Sequence, residues 1–172
     1  LHEYLRFLDI AAPNTVFEGV LAVEPGHLVR CSPAGVEIRS LAGPRSAPPS
    51  APDFDDAVSA LDTLLQQSVQ ARLAGAARPA AFLSSGIDSS LICALARRTH
   101  PDTTAVTVGF DGAADDETPV ARRIASHLGL RHEVLHFGRG QYLEAFERLA
   151  RQMDQPSADP ALPATVLAFD HC

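Results

Sequence analysis

The sequence predicts an α/β fold, a doubly wound parallel sheet preceded by a short β-hairpin appendage and a proline-rich linker. Three observations lead there. From residue 79 onward, runs rich in β-branched residues alternate with segments of helical period, the pattern of parallel strands joined by crossover helices. The stretch 79–98 passes from apolar residues through small polar ones into apolar positions 91, 92, 95 and 96 at helical spacing, as a strand, a tight loop and a helix would. Residues 42–52 hold four prolines among Ala, Ser and Gly, which suits a linker with little local structure.

The elements follow in chain order. Residues 1–10 carry apolar positions that suit a short helix ended before Pro13, and 15–23 are rich in β-branched and apolar types. Segments 27–32 and 36–41, joined by Pro33-Ala34-Gly35, read as a hairpin. After the linker, Asp53 caps a helix whose first turn holds Asp55 and Asp56. Phe54, Val58, Leu61, Leu65 and Val69 line one face of it, flanked by Leu64 and Leu73, and that face is expected to pack on the sheet. Beyond the loop come a strand at 104–110, a helix at 117–128 closed by Gly129, a strand at 132–137 and a helix at 141–153. Ligands of such sheets sit at the carboxyl ends of the strands, here 84–90 and 109–116.

Small residues at the 84–90 turn let backbone approach a ligand, and the first N–H groups of a helix have no intrahelical partner, so the turn can cradle phosphate. Asp88 is out of place there unless a divalent cation bridges it to phosphate; Mg²⁺ takes one or two carboxylates plus phosphate oxygens. The plain structural alternative is a capped helix after a buried strand, with Asp88 as a partner of the helix dipole.

Composition narrows the partners. The chain has 172 residues, 46% hydrophobic and 20% charged, enough to bury a core. A net charge of −7 argues against a nucleic-acid or anionic-membrane partner. All basic residues are Arg, so a Walker-type loop is excluded for want of its lysine, and phosphate must be met by backbone, metal or arginine. Cys31, Cys93 and Cys172 are odd in number and far apart, which suits a reduced, cytoplasmic setting. No uncleaved signal peptide is expected at the start, no apolar run approaches a membrane span, and Leu1 rather than Met at the start suggests a trimmed piece.

Ser84-Ser85-Gly86-Ile87-Asp88-Ser89 resembles the Ser-Gly-Gly-x-Asp-Ser pyrophosphate loop of ATP pyrophosphatases, with Ser85 in place of the first Gly, and most resembles that of glutamine-dependent asparagine synthetases. The likeness extends through Thr15-Val16-Phe17-Glu18-Gly19, Pro25-Gly26-His27, Val108-Gly109-Phe110, Asp116-Glu117, Ala121-Arg122, Leu128-Gly129 and His132-Glu133. It continues in 154–160, where Gln155 and Ser157 replace the commonest Glu and Phe. The resemblance implies an ATP pyrophosphatase fold of the adenine nucleotide alpha hydrolase type. It implies the tail of a glutaminase domain at 1–41, a linker at 42–52, and at 53–172 the first part of an ATP-binding synthetase domain, incomplete at its C-terminus. It further implies that Leu83, Ser84, Ser85, Gly86, Asp88, Ser89, Val108 and Gly109 bind ATP and its pyrophosphate, with Asp88 on Mg²⁺; catalytic residues are not identified.

The implied activity is amide formation through an acyl-adenylate, with ATP, aspartate or another carboxylic acid, and ammonia derived from glutamine as substrates, and a glutaminase domain as partner. A homodimer is left open. A related enzyme closing a β-lactam or a peptide macrocycle, and a non-catalytic scaffold, stand as alternatives. By the resemblance the glutaminase nucleophile precedes Leu1 and a second Ser-Gly-Glu-type loop follows Cys172, so these residues alone are expected to show no synthetase turnover.

His132-Glu133-Val134-Leu135-His136 fits the His-Glu-x-x-His zinc motif, which needs a helix, yet it falls where the alternation calls for a strand. His132 and His136 are therefore expected on a strand. Asp115, Asp116 and Glu117 read as helix-start acids rather than metal ligands, and Asp154 and Asp159 as turn residues. Arg97, Arg98, Arg122 and Arg123 read as solvated helix faces, and Cys93 as a small hydrophobe.

Overall fold

Three parallel strands, β3 (Ala80–Phe82), β4 (Thr104–Phe110) and β5 (Arg131–Phe137), pair in that order at the centre of the fold. The computed structural model describes residues 1–41, 53–110 and 116–171, so the expected linker at 42–52 and Asp115 lie outside the described residues. The chain divides into two units, Leu1–Ala51 with Arg148–Pro160, and Pro52–Glu147 with Ala161–Cys172.

The first unit contains α1 (His2–Phe7) and the antiparallel hairpin of β1 (His27–Ser32) and β2 (Gly35–Ser40). The opening helix is shorter than expected because Leu8 takes a left-handed φ of 59° and turns its N–H back to the Tyr4 carbonyl. Residues 15–23, rich in β-branched types, take bends and a turn at 16–19, closed by Thr15 Oγ1 donating to the Val20 carbonyl at 2.7 Å. There the hydroxyl competes with ladder pairing for the backbone.

In the second unit, strand alternation sends Ala105 toward α3 (Ile87–Thr99) and α4 (Thr118–Leu128), where it packs with Leu83, Cys93, Ala121, Ala125 and Leu130. Val106 points the other way and packs with Leu135, Phe137 and Ala168 of α6 (Leu162–His171). Helices therefore cover both faces of a parallel sheet, and the doubly wound class is observed. The first face is built largely from Ala and Cys, which lets the helices approach the strands closely. Gly129 ends α4 in the left-handed conformation at φ 63°, its N–H meeting the Ala125 and Ser126 carbonyls.

Helix α6 is absent from the sequence-based reading. Pro163 in its first turn reads as a continuation of the Pro-rich 154–160 loop, whereas proline is compatible with a helix start. Its apolar residues also lack the polar stripe that marks an amphipathic helix. The helix expected at 141–153 is α5, Arg139–Gln152.

Helix α2 (Phe54–Leu73) has the expected Asp53 cap but does not pack on the sheet. Its buried partners are on α3: Val69, Leu65 and Leu73 meet Leu95 and Ala96. Arg98, expected to be solvated, reaches from α3 to Asp62 at 3.6 Å and Gln66 at 3.3 Å on α2, an exposed pair that adds little. Phe54, Val58, Leu61 and Leu64 remain exposed, so the apolar stripe is longer than the surface that covers it.

The His-Glu-x-x-His stretch lies on β5, whose alternation separates His132 from Glu133. Glu133 faces α6 and pairs with His171 at 3.1 Å.

This packing makes a stability prediction. Leu95→Ala, removing a side chain that is 1% exposed, is expected to cost about 2–5 kcal/mol in urea unfolding, with cavity cost included. Phe54→Ala, at a side chain 76% exposed, is expected to stay within about 0.5 kcal/mol.

Candidate functional site

The end of β3 decides the geometry of the loop. Leu83, 2% exposed, still donates its N–H to the Val106 carbonyl at 2.8 Å, continuing the ladder one residue beyond Phe82. The next ladder bond would join the Leu83 carbonyl to the Val108 N–H. Instead the Thr107 hydroxyl donates to that carbonyl at 2.7 Å. The strand stops, the chain turns toward α3, and Val108 and Gly109 continue along β4 beyond the last β3 partner. The N–H and C=O of Val108 are thus directed at the loop side without that partner.

The turn is held by its own serines. Ser89 Oγ donates to the Gly86 carbonyl at 3.1 Å, so in its 2.8 Å contact with Ser84 Oγ the Ser84 hydroxyl is the donor. Ser89 Oγ also accepts the Ser84 N–H at 3.1 Å, and Ser84 Oγ accepts the Gly86 N–H at 3.1 Å. Ser90 Oγ donates to the Gly86 carbonyl at 2.7 Å. Helix α3 begins at Ile87, so Asp88 and Ser89 belong to its first turn rather than to a loop running to Ser90. The N–H groups of Ile87, Asp88 and Ser89 therefore have no intrahelical acceptor, and Asp88 is exposed beside them.

Gly86 is the N-cap with φ −78°, and Ser85 is not among the residues of positive φ. This turn consequently asks no left-handed conformation of Ser85, and a serine fits where the resembling loop has Gly. What Gly86 does provide is room: a Cβ there would lie 3.3 Å from Ser84 Oγ.

One contact was not foreseen. Glu117, the N-cap residue of α4, reaches across to the loop and accepts the Ser85 N–H through Oε2 at 3.0 Å. A carboxylate oxygen thus sits on a loop donor, which shows that this N–H is directed where an anion can reach it. The available signal was an acidic pair at the carboxyl end of the neighbouring strand. Asp116 behaves as expected of a helix-start acid, accepting the Thr118 N–H at 3.0 Å. The Thr118 side chain, then that N–H, hold its carboxyl below the ordinary value of 3.8, with smaller contributions from His136 and Arg122. The Thr118 hydroxyl, without full hydrogen-bond geometry to any group, is buried. Gly109 is small for a visible reason, since a Cβ there would lie 3.0 Å from the His136 ring and 3.2 Å from Thr118 Oγ1.

One further residue is chemically quiet. Burial pushes the Cys93 thiol up to about 11, and its Sγ donates to the Phe82 carbonyl at 3.5 Å, so it serves packing. Among the described residues no three His, Cys, Asp or Glu side chains converge to hold a metal. Asp88 is therefore a single carboxylate, suited to a cation that brings further oxygen ligands with it. A cleft of about 350 Å³ between α3 and α4 is lined by Ser90, Val120, Arg123, Ile124, His127 and Leu128. Of these only Ser90 borders the turn.

The Asp116 contacts carry a pH prediction. A carboxyl whose folded value is lowered contributes stability above its unfolded value and loses it as pH falls through the folded one. Asp116 is expected to titrate below 3.8 in carboxyl-detected NMR, and Thr118→Ala to move that midpoint upward toward 3.8.

A family model described as asparagine synthase matches residues 60–172. The glutamine-hydrolysing asparagine synthetase 1 of Bacillus subtilis is 28% identical over 161 residues, covering 94% of this chain and 26% of that protein. The carboxyethyl-arginine beta-lactam-synthase of Streptomyces clavuligerus is 35% identical over 80 residues, covering 46% of this chain and 15% of that protein. An NH3-dependent NAD synthetase from Campylobacter jejuni aligns with a TM-score of 0.45 at 16% identity, over 66% of this chain and 51% of that one. The chain thus spans about a quarter of the length of the asparagine synthetase it matches, and within that span the family model takes in the pyrophosphate-type loop, β4 and the Asp116-Glu117 helix start. The chain belongs to the asparagine synthase family.

Proposed function

We propose that this chain supplies the pyrophosphate-binding part of an ATP-dependent, amide-forming ligase. The observation that carries the reading is the turn itself: open N–H groups at Ile87, Asp88 and Ser89, a carboxylate at Asp88, and a neighbouring strand end at Val108 whose backbone is unspent. Carboxylates resist attack by ammonia because their oxide is a poor leaving group. Attack of the carboxylate oxygen on the α-phosphate of ATP expels pyrophosphate and leaves an acyl-adenylate, whose acyl carbon ammonia then attacks, displacing AMP.

The residues of this chain serve that chemistry by binding and orientation. The first-turn N–H groups of α3 would receive the leaving pyrophosphate, whose developing charge is met by fixed dipoles, and the Ser84 and Ser89 hydroxyls would turn to it from the contacts they make within the loop. The backbone around Leu83 and Val108 would bracket the adenine, the open Val108 N–H and C=O meeting its edge and Gly109 leaving space. Asp88 would hold Mg²⁺, which when bound neutralises phosphate charge. Glu117 occupies the Ser85 N–H in the protein alone and would yield it to a phosphate oxygen.

Asparagine formation from aspartate, with ammonia from glutamine and a glutaminase domain as its source, is the substrate reading we favour, because 94% of the chain aligns with a glutamine-hydrolysing asparagine synthetase. A second reading, closure of a lactam, is favoured by the 35% identity to the beta-lactam-synthase. The two share the adenylation step and differ in the acyl group. A cytoplasmic setting accords with the neutral, buried thiol of Cys93.

Pyrophosphate exchange into ATP, measured on a full-length parent protein containing these residues, tests both. Exchange that requires aspartate is the expected result; exchange with another acid alone moves the assignment to the lactam class, and none with any acid, without MgATP binding, removes it. Asp88→Asn is expected to weaken Mg²⁺-dependent ATP binding on the order of 100-fold while leaving the unfolding midpoint close to wild type. Equal binding by that variant would sink the metal assignment.

A further inference from the structure

His132, part of the zinc-like stretch on β5, makes a different connection. Its Nε2 lies 2.8 Å from Thr107 Oγ1. The Thr107 hydroxyl has one proton, and that proton goes to the Leu83 carbonyl, which can only accept. His132 must therefore donate, so Nε2 carries hydrogen. Burial, and then the Arg122 charge, hold its pKa below the ordinary 6.5, so the ring is neutral at pH 7 and Nδ1 is its bare nitrogen.

The donation runs onward in one direction. His132 donates to Thr107, Thr107 to the Leu83 carbonyl, the Ser84 N–H of the same peptide plane to Ser89 Oγ, and Ser89 Oγ to the Gly86 carbonyl. Each link polarises the next. Thr107 is 2% exposed and Leu83 2%, so water does not compete at the middle of the chain. A peptide plane is rigid, and a bond that orients the Leu83 carbonyl also orients the Ser84 N–H.

We propose that His132 is a positioning residue for the pyrophosphate turn, acting through Thr107 on the Leu83–Ser84 peptide and so on the donors at the start of α3. This rests on the nucleotide reading above. Without the His132 donor, the Thr107 hydroxyl loses the contact that fixes its rotamer, its bond to the Leu83 carbonyl is no longer held in place, and the turn loses its set.

The test is a double-mutant cycle on the protein, read as MgATP affinity alongside unfolding midpoints. Thr107→Val and His132→Leu are each expected to weaken MgATP about tenfold. The double variant is expected to bind no more weakly than Thr107→Val alone, and His132→Gln, which keeps an N–H donor, to recover most of the loss. Additive losses, or a Gln variant as weak as Leu, overturn the proposal, since a role in stability alone would move the midpoints and leave the coupling absent. Two measurements need no nucleotide. Imidazole ¹⁵N spectra of the wild type are expected to show protonated Nε2 and bare Nδ1, and the opposite tautomer overturns the proposal. Amide exchange at Ser84 and Gly86 is expected to quicken in His132→Leu, and unchanged exchange overturns it too. A wild type that binds no MgATP while both of these hold rejects the nucleotide reading and keeps the positioning of the turn.

Discussion

One hydrogen bond, from the Thr107 hydroxyl to the Leu83 carbonyl, governs how the second unit arranges the turn between β3 and α3. Where the ladder would next join the Leu83 carbonyl to Val108, that carbonyl instead receives the Thr107 side chain. Three consequences follow from that substitution. The strand β3 ends after Phe82, the chain is released to enter α3 at once, and β4 projects beyond its neighbour with backbone groups unspent. A strand end, a helix start and an open strand edge thereby meet within a few residues of sequence.

The rest of the unit supports that junction. Small side chains on the α3 and α4 face, Ala105, Ala121, Ala125 and Cys93, bring both helices close to the sheet. This closeness lets Glu117, at the start of α4, reach the Ser85 N–H. On the opposite face, larger residues, Leu135, Phe137 and Val106, pack against α6 and leave its partner strand β5 free to turn His132 the other way. The face toward α6 is built on larger apolar side chains, while the face toward α3 and α4 carries, beside its small apolar residues, the His132–Thr107 line leading to the turn. Polar groups buried in that line are tolerated because each has a partner.

The serine at 85 illustrates how much of a motif is conformation and how much is space. At this turn neither 85 nor 86 uses a left-handed φ, so Ser85 meets no backbone penalty, while Gly86 is confined by the Ser84 hydroxyl. Gly109 is confined more severely, by the His136 ring and Thr118. Its smallness lets the ends of two adjacent strands and the start of α4 close together around one point.

Local signals in the sequence were sufficient for the strand, turn and helix at 79–98, the caps at Asp53 and Gly129, the hairpin, and the period-2 segment that excludes a zinc helix at 132–136. Those features depend on residues near one another in the chain: capping side chains, turn glycines and alternation act over a few residues, and so they can be read in order. Tertiary structure alone decided that α2 packs on α3 instead of the sheet, that α6 covers the second face, that Glu117 touches Ser85, and that His132 speaks through Thr107 to Leu83. An apolar stripe states that a helix will be covered but not by what, and a hydrogen bond between residues 25 or 32 positions apart leaves no periodic trace. Such pairings exist only once the parallel register has brought the carboxyl ends of β3, β4 and β5 to the same edge, because that register, and no local preference, sets which side chains come within about 3 Å of one another.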